Sequence, residues 1–459
     1  MYADNVCLTM TLKDSSVTSL AERLAQWAHD HVPSEHDRAL AQRSLLDTLA
    51  VTLAAREDPL RPVVDDLPEA ARWAALAHVL SFDDLHMAST AHVSSVCVPA
   101  VLALGGGADA YLAAAGVMAR LGTLLGWSHY TSGWHATCTA GAPAAAVGAA
   151  FSLGLGPHQT AQAIALAVPA AGGVQRAFGT AAKALQVGFA AEAGVRAARL
   201  VAAGADADPR ALDQWLGLVA EDVPELDPSG PSVPGGLAVK IFPCCYSLQR
   251  PISAVRGLLA ELPEAAKIER IHVVTPEDTV RPLVHHRPRT GLEGKLSLEY
   301  GIAATILDGY PGFASFTTDA VTRPIANTLV ERTTAVLTQS SGGGLLAGDV
   351  TVEFALADGT RRSTTLDLPP GAPDKPPTHE ELHAKFRGCG SDVPVLLTHA
   401  DWPTAAALLR AELAPRSSPS QPCGMQGRKP RLTHPVGDIG DLSAESRRLS
   451  TGDPSSMDV

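Results

Sequence analysis

The chain has 459 residues, 46% of them hydrophobic, and 36 Lys and Arg against 48 Asp and Glu give a formal net charge of −12. This acidic balance argues against a nucleic-acid-coating protein, and the composition argues against a fibre or a disordered chain. The N-terminus lacks the basic start and apolar core of a secretory signal, and polar residues interrupt the long apolar stretches. We therefore expect a cytoplasmic protein with no membrane span.

The first half of the chain has the pattern of packed helices. Residues 15–60 predict two helices, the first capped by Ser15 or Ser16, and residues 66–84 predict a third. From 95 to 205 the sequence is dominated by Ala, Gly, Leu and Val, which predicts a tightly packed helical core.

The pattern changes in the second half. Residues 206–236 are rich in Pro, Asp and Gly, which predicts a surface excursion. In residues 267–275 apolar and polar residues partly alternate, which predicts a strand. Residues 349–366 predict a hairpin around an Asp-Gly turn. Between them, 296–307 has a helical pattern.

These elements predict a mostly α fold with two domains. The larger is helical, spans 15–265 and is completed by 396–414, and the smaller is an α+β domain over 266–395. The segment 415–459 is rich in Ser, Pro, Gly and Arg, so we expect it to be disordered and without a catalytic role.

The first candidate for chemistry is a group of carboxylates and imidazoles in an apolar stretch, namely Asp83, Asp84, His86 and His92. Burying such groups costs free energy unless they are paired or used. The group is compatible with acid/base catalysis, with a metal site, or with the solvated end of a helix.

A second candidate is His135, just before a helix predicted to begin near Thr139. The N-terminus of a helix has free N–H groups and positive potential, which suits a carboxylate ligand. Alternatively, His135 has a purely structural role and is held by hydrogen bonds.

Two lysines in apolar surroundings are the next candidates. Lys183 lies in an apolar helical run, where it either extends to water or holds an anion. Lys240 precedes the pair Cys244 and Cys245, whose thiols fit an apolar core better than a metal site.

The sequence also contains a formal HExxH at His379, Glu380 and His383. Two histidines four residues apart on a helix can bind zinc. The surrounding residues are polar, however, which favours an exposed helix over a buried metal site.

Other common signatures are missing from the sequence. The seven cysteines have no CxxC spacing, and there is no GxGxxG after a strand, no GxxxxGK[ST] and no GxSxG. We therefore expect no metal and no organic cofactor, but proton chemistry by histidines and carboxylates, with lysines binding anionic groups.

Five stretches, in this order, resemble the MmgE/PrpD family, whose members include 2-methylcitrate dehydratase, cis-aconitate decarboxylase and iminodisuccinate epimerase. They are Phe82–Ala103, Gly133–Gly154, Gly179–Gly204, Lys240–Val255 and Gly294–Gly309. The resemblance spans roughly residues 15–410.

The resemblance implies a large helical domain, a smaller α+β domain that acts as a lid over 266–395, and a homodimer. It implies a site between the domains that works without metal or cofactor. By motif position, His92 and His135 match active-site histidines, and Lys183 and Lys240 match lysines that bind substrate carboxylates. Tyr300 matches a lid tyrosine of the site.

Asp83 and Asp84 match the acidic pair of the family. Two positions depart from it: Leu85 stands where several members have Thr, and Cys245 where the decarboxylase has His. The spacing from Asp84 to His92 is also longer than in the decarboxylase. These departures argue against decarboxylation of cis-aconitate and leave dehydration and epimerisation open.

The sequence thus predicts a lyase of the dehydratase or decarboxylase type that acts on a small di- or tricarboxylate. His135, assisted by His92, Asp83 or Asp84, would move the proton next to a carboxylate, and Tyr300 would assist the leaving group. The substrate-binding residues would be Lys183, Lys240, Cys245 and His86.

Three other functions remain open from the sequence. The first is an epimerase of an iminodisuccinate-like dicarboxylate. The second is a metal-dependent hydrolase or lyase that uses Asp83, Asp84, His86 and His92. The third is a ligand-binding protein without catalytic activity.

Overall fold

The structure is a computed structural model of the chain, and it describes residues 18–221, 223–263, 267–339, 344–345 and 347–414. These residues belong to one compact unit. The predicted disordered segment 415–459 lies outside the described residues.

The larger part of the described chain is helical. Its first ten α-helices are α1 (Leu20–Asp30), α2 (Glu35–Ala54), α3 (Glu69–Val79), α4 (Ser94–Leu102), α5 (Ala108–Thr131), α6 (Ala136–Thr139), α7 (Gly141–Ser152), α8 (Pro157–Ala167), α9 (Ala182–Ala202) and α10 (Ala211–Val219).

The second half combines helices with a small sheet. The helices are α11 (Gln249–Glu261), α12 (Glu277–Val280), α13 (Gly291–Gly294), α14 (Leu298–Asp308), α15 (Thr318–Val321), α16 (Pro324–Arg332), α17 (His379–Cys389), α18 (Val393–Leu397) and α19 (Trp402–Glu412). The strands are β1 (Ile268–Pro276), β2 (Thr333–Thr338), β3 (Val350–Leu356) and β4 (Arg361–Leu366).

The three N-terminal helices predicted from the sequence are confirmed as α1, α2 and α3. The predicted cap of α1 is wrong. Ser19 caps this helix, because its hydroxyl accepts from the backbone N–H of Glu22 while the Glu22 carboxylate accepts from the backbone N–H of Ser19. The first helix therefore begins a few residues later than Ser15 or Ser16 suggests.

Small residues allow the central helices to pack very closely. A Cβ added at Gly194 of α9 would lie 2.4 Å from the backbone nitrogen of Ala146 in α7. The helices α7 and α9 touch almost backbone to backbone, which explains why this region is so rich in Ala and Gly. The predicted helical core of small residues is confirmed.

Among the residues that the structure describes, one helix, α5, is long and apolar enough to cross a membrane by length and composition alone. The helix contains Arg120 near its middle, so the polar interruption expected from the sequence is present. In the structure, 83% of the most apolar stretch of this helix is buried inside the protein, as in a core helix. Gly126, with φ of 70°, also interrupts the regular helix.

The sheet has the strand order β2-β1-β3-β4. β1 pairs with β2 in parallel and with β3 antiparallel, and β3 and β4 form the predicted hairpin. The sequence did not indicate β2, because five of its six residues are exposed and hydrophobic alternation is missing. β3 shows the expected alternation, with every second residue buried.

The buried apolar side chains form two main clusters. The first contains residues of α1–α10 and of α17–α19, and the second contains residues of α11, α14, α16 and the sheet. The mostly α class with a small mixed sheet is therefore confirmed. The domain boundary near 265 and the return of the chain at 396–414 stay predictions.

The predicted surface excursion at 206–236 is wrong in part. It contains the helix α10, which buries Leu212 and Leu216 against the first cluster. Residues of its second half, Ser232 and Val233, are also buried. Because Pro and Gly, which indicate turns, are spread through the segment, the short apolar pattern of this helix is not recognisable from the sequence.

We predict that Gly194→Ala lowers the free energy of unfolding by about 1–3 kcal/mol, because the new methyl group would force α7 and α9 apart. Gly257→Ala in α11 is the matched control, since a Cβ at Gly257 meets open space. That control should be neutral or stabilise by less than about 1 kcal/mol. Urea unfolding measures both, and equal stability of the two variants would contradict the close packing.

Candidate active site

The carboxylate of Asp83 lies at the centre of a buried group of basic side chains. Asp83 follows α3 and is 1% exposed. Its Oδ2 accepts from Nδ1 of His78 at 2.7 Å and lies 3.3 Å from Nδ1 of His92, and its Oδ1 lies 3.7 Å from Nζ of Lys240. Burial alone would raise the pKa of Asp83, but His78, His92 and Lys240 together hold that pKa well below its usual range.

The chain before Asp83 is held by three buried ammonium groups. The ammonium of Lys295 donates to the carbonyl of Leu80 at 2.9 Å, that of Lys240 to Ser81 at 3.0 Å, and that of Lys385 to Phe82 at 2.9 Å. These lysines come from three separate stretches of the sequence and bind three consecutive carbonyls.

The middle residue of this turn is in an unusual conformation. Ser81 has φ of 55°, in the left-handed region that serine rarely adopts. The three lysines hold this conformation, and with it the position of Asp83.

Lys385 is itself paired with a second buried carboxylate. Its Nζ lies 2.6 Å from Oδ1 of Asp47 in α2, and neither side chain is more than 3% exposed. Burial raises the pKa of Asp47, which Lys385 opposes. The position of Phe82 is thereby tied to α2 and α17.

Lys183 contacts the same group through a histidine. Its ammonium nitrogen is in hydrogen-bond contact with Nε2 of His78, whose Nδ1 donates to Asp83. Burial lowers the pKa of His78 to about 4 and that of Lys183 to about 8. No carboxylate in the described part of the chain pairs with Lys183, so its charge is available to an anionic ligand.

The rings of His92 and His135 both lie close to that of His78. The ring centres are 4.8 Å apart for His78 and His92, and 5.7 Å apart for His78 and His135. Burial is the main reason that the pKa values of His92 and His135 lie well below the usual range, so both rings are neutral near pH 7.

The loop geometry explains how these two histidines are held. His92 precedes α4, and its backbone N–H donates to Oγ1 of Thr137 at 3.0 Å. His135 is the residue before α6, as expected, and its backbone N–H donates to the carbonyl of Gly173 at 3.0 Å.

Five of the predicted residues line one pocket: they are His92, His135, Lys183, Lys240 and Cys245. Asp83 lies directly behind this pocket and contacts two of them. The remaining lining residues are mostly apolar or aromatic: Ser81, Leu85, Thr90, Tyr130, Phe178, Tyr246, Pro282, Leu296 and Leu345.

Besides Asp83, three predicted site residues do not line the pocket. The carboxylate of Asp84 is engaged by Ser94, whose backbone N–H donates to Oδ1 at 3.0 Å, and burial raises the pKa of Asp84 to about 7. His86 contacts Oγ of Ser89 and the carbonyl of Pro234, each at 2.7 Å. The side chains of Asp84 and His86 therefore hold neighbouring parts of the chain in place by hydrogen bonds.

Tyr300 is the third. It is fully buried, and its hydroxyl donates to the carbonyl of Ser315 within the second apolar cluster. The structure therefore does not place the Tyr300 side chain where it could touch a ligand in this pocket.

The metal hypothesis is only partly compatible with this arrangement. Among the described residues, His78, Asp83 and His92 offer ligand atoms within 4.8 Å of one another, whereas the predicted set also required Asp84 and His86. Lys183 contacts His78, and Lys240 lies beside Asp83. Two ammonium groups against the ligand set repel a divalent cation, so the residues present do not fit a metal well.

The HExxH segment lies on a surface helix, as predicted. Thr378 caps α17, and His379, Glu380 and His383 are exposed. These side chains take no part in the pocket.

Sequence reasoning missed His78, Lys295 and Lys385. His78 is the penultimate residue of the apolar helix α3, which is an unusual place for a buried histidine and could have been noticed. Lys295 belongs to a stretch that resembles the family, but neither it nor Lys385 lies near Asp83 in the sequence. Their contacts with residues 80–82 follow only from the fold.

Comparison with known proteins gives matches over most of the described chain. The MmgE/PrpD N-terminal domain matches residues 66–223, and the MmgE/PrpD C-terminal domain matches residues 242–395. Together the two matches cover about two thirds of the chain.

Individual relatives are more distant. A cis-aconitate decarboxylase of Aspergillus terreus is 26% identical over 363 residues, which cover 70% of this chain and 73% of that protein. A cis-aconitate decarboxylase-like protein, oryM, of Aspergillus oryzae is 25% identical over 453 residues, with coverage of 84% and 93%. The cis-aconitate decarboxylase of Mus musculus is 26% identical over 355 residues, with coverage of 68% and 70%.

We predict that Lys385→Met lowers the free energy of unfolding by about 3–5 kcal/mol, because it leaves the buried carboxylate of Asp47 without its partner. Adding Asp47→Leu should recover much of this loss, since no buried charge then remains. Arg410→Met is the control: its pair with Glu69 is partly exposed and should contribute less than about 1 kcal/mol. A double variant less stable than Lys385→Met would contradict the buried pair.

Proposed function

Because the chain belongs to the MmgE/PrpD family, we propose that it is a lyase of the dehydratase or decarboxylase type that acts on a small di- or tricarboxylate without a cofactor. The observation that carries this proposal is the convergence of two ammonium groups and two neutral imidazoles on one pocket. The names of the relatives support a lyase, and the chemistry of the pocket supports the substrate class.

The charges of the pocket favour an anionic ligand with more than one carboxylate. Lys183 and Lys240 bring two positive charges, while the single carboxylate beside them, Asp83, is shared between Lys240 and the imidazoles. In a buried pocket an uncompensated ammonium group is costly, so an anion that neutralises it binds favourably. Local charge of this kind outweighs the net charge of −12.

The same groups suit removal of a proton next to a carboxylate. Such a carbon acid is weak, and its enolate-like anion forms only where cations or hydrogen-bond donors lie close by. The ammonium groups would stabilise the developing charge, and in a dehydration a neutral imidazole would take the proton, which then leaves with the hydroxide as water. In a decarboxylation the same charge would develop as carbon dioxide leaves, and a proton would then be added to the carbon.

The two histidines are not equivalent as bases. Nδ1 of His92 lies 2.6 Å from the carbonyl oxygen of Asp84 and 3.3 Å from the carboxylate of Asp83. Both of these atoms only accept, so Nδ1 carries the proton and Nε2 has a free lone pair. We therefore assign the base to His92, whereas the sequence favoured His135.

Elimination is favoured over epimerisation as the outcome. Epimerisation usually needs a proton donor and an acceptor on opposite faces of one carbon, and Tyr300, one candidate for the second face, is bonded to Ser315 instead. Two of the relatives described above are cis-aconitate decarboxylases, and the third is named as a cis-aconitate decarboxylase-like protein. The apolar side chain of Leu85 and the thiol of Cys245 line the pocket. These two side chains would determine which of several related acids the pocket accepts.

We further propose that the α+β part of the chain covers the pocket. Pro282, Leu296 and Leu345 from that part line the pocket together with residues of the helical part. A lid role, the homodimer implied by the family and a cytoplasmic location all belong to the proposal.

We predict that Lys183→Met and Lys240→Met each reduce kcat/KM on the order of 100- to 1,000-fold, because each removes a charge that holds a substrate carboxylate or the enolate-like anion. Lys375→Met, at an exposed lysine, is the control and should leave turnover unchanged. The substrate is first found by incubating the protein with citrate-, aconitate- and aspartate-derived acids in deuterated water and following mass and proton exchange.

The result of this screen also separates the proposals. Loss of water or carbon dioxide from an acid supports the lyase, whereas deuterium incorporation without another change in mass supports the epimerase. Normal turnover by a folded Lys183→Met protein would contradict the proposed role of Lys183.

We predict that EDTA leaves turnover unchanged, because Lys183 and Lys240 oppose a divalent ion at His78, Asp83 and His92. Elemental analysis of the purified protein is the accompanying measurement. Activity abolished by the chelator and restored by a metal would favour the metal-dependent alternative.

A further inference from the structure

The strongest unexplained feature of the pocket is the environment of His135. In the described part of the chain, its Nδ1 has two side-chain neighbours and its Nε2 has none. Gln186 Nε2 lies 2.6 Å from Nδ1, and Cys138 Sγ lies 3.3 Å from it. Gln186 is half-buried on α9, one turn after its start, and belongs to none of the groups discussed above.

The orientation of the Gln186 amide follows from its other contacts. The backbone N–H of Val174 lies 3.1 Å from Oε1 of Gln186, and the carbonyl of Val174 lies 3.4 Å from Nε2. Since a backbone N–H can only donate, the atom that faces it has to be the amide oxygen. A flipped amide would set two donors against each other, so the NH₂ group is the end that faces His135.

This orientation determines where His135 carries its proton. The NH₂ group of Gln186 has only donors, so Nδ1 of His135 has to accept, and a neutral ring then carries its hydrogen on Nε2. The thiol of Cys138 agrees with this assignment, because burial raises its pKa far above the usual range and it keeps its own hydrogen.

We propose that Gln186 is a positioning residue that holds His135 as a neutral hydrogen-bond donor through Nε2–H. This inference rests on the proposed function. His135 would stabilise the negative charge that develops on the substrate, while His92, with the opposite tautomer, removes the proton. No proton leaves His135 in this step, so the ring stays neutral throughout.

The two rings thus differ because their Nδ1 atoms face opposite kinds of partner. Nδ1 of His92 faces the acceptors of Asp84 and Asp83, and Nδ1 of His135 faces the donors of Gln186 and Cys138. One pocket therefore presents a lone pair from one imidazole and an N–H from the other, which is the combination that carbanion chemistry needs.

The other titratable groups near His135 do not alter the assignment. They are Lys183, His78 and Asp83, of which Lys183 and His78 disfavour a charged ring and Asp83 favours it. None of the three is hydrogen-bonded to Nδ1. Together with burial, they leave His135 neutral over the pH range in which the enzyme would work.

The direct test is the tautomer of His135 in the full-length protein, measured by ¹⁵N NMR of histidine-labelled samples. The His135→Asn variant identifies the signals of this ring by their loss. We expect a neutral ring protonated at Nε2 from about pH 6 to about pH 9. A ring protonated at Nδ1 would overturn the proposal, and this measurement needs no turnover and no known substrate.

The second test changes the partner of Nδ1. Gln186→Glu keeps the length of the side chain but presents a carboxylate oxygen to Nδ1, so the proton moves to Nδ1 or the ring becomes doubly protonated. We expect the neutral Nε2–H form to be lost and kcat to fall on the order of 100-fold at high pH with little change in KM. Activity should recover as the pH falls, because the doubly protonated ring again has an Nε2–H.

Two further variants make this result specific. Gln186→Met removes the donor without adding a charge, and we expect a mixture of tautomers, a smaller loss of kcat and no new ionisation in the pH profile. Gln214→Glu adds the same charge at an exposed position of α10 and should change nothing. A Gln186→Glu protein with the tautomer and pH profile of the wild type would overturn the assignment.

These outcomes are distinguishable from failure of the proposed function. If no carboxylic acid is turned over but the NMR signals show Nε2–H, the tautomer assignment stands and the lyase proposal fails. If an acid is turned over and the ring carries its proton on Nδ1, the lyase proposal stands and the role of Gln186 fails.

Discussion

The buried carboxylate of Asp83 is the interaction on which the pocket depends. It accepts from His78, lies beside His92 and balances the charge of Lys240. A single negative charge thereby holds several basic groups together in a region from which water is largely excluded. Without it, the ammonium and imidazole groups would repel one another or lose their fixed orientation.

Asp83 can take this position because the chain before it is fixed by three lysines. Each binds one carbonyl of the sequence Leu80-Ser81-Phe82, and each comes from a different part of the fold. This arrangement makes a short, strained turn into a rigid support. It also connects the site to α2 and α17, since Lys385 is paired with Asp47, so the stability of the protein and the geometry of the pocket are linked.

The small residues of the central helices serve the same purpose. Close contact of α7 and α9 leaves little free volume, so the side chains at the ends of α6 and α9 have defined positions. His135 is held before α6, and Lys183 and Gln186 are held in the first turns of α9. A tightly packed scaffold of this kind can keep two histidines in different tautomers within one pocket, because their partners cannot rearrange.

From local patterns alone we predicted the helical class, the strands β1, β3 and β4, and five side chains that meet in the pocket: His92, His135, Lys183, Lys240 and Cys245. This was possible because hydrophobic periodicity is local and because ionisable residues in apolar segments are conspicuous. Local patterns did not indicate β2, whose exposed side chains leave no alternation, or the positions of Asp84, His86 and Tyr300.

The way in which these groups act together follows from the three-dimensional fold. The roles of His78, Gln186, Lys295 and Lys385 depend on contacts between residues far apart in the chain, and no local pattern encodes such contacts. The protonation of a histidine is likewise set by the atom that faces each ring nitrogen, and that atom is supplied by a neighbouring element of the fold.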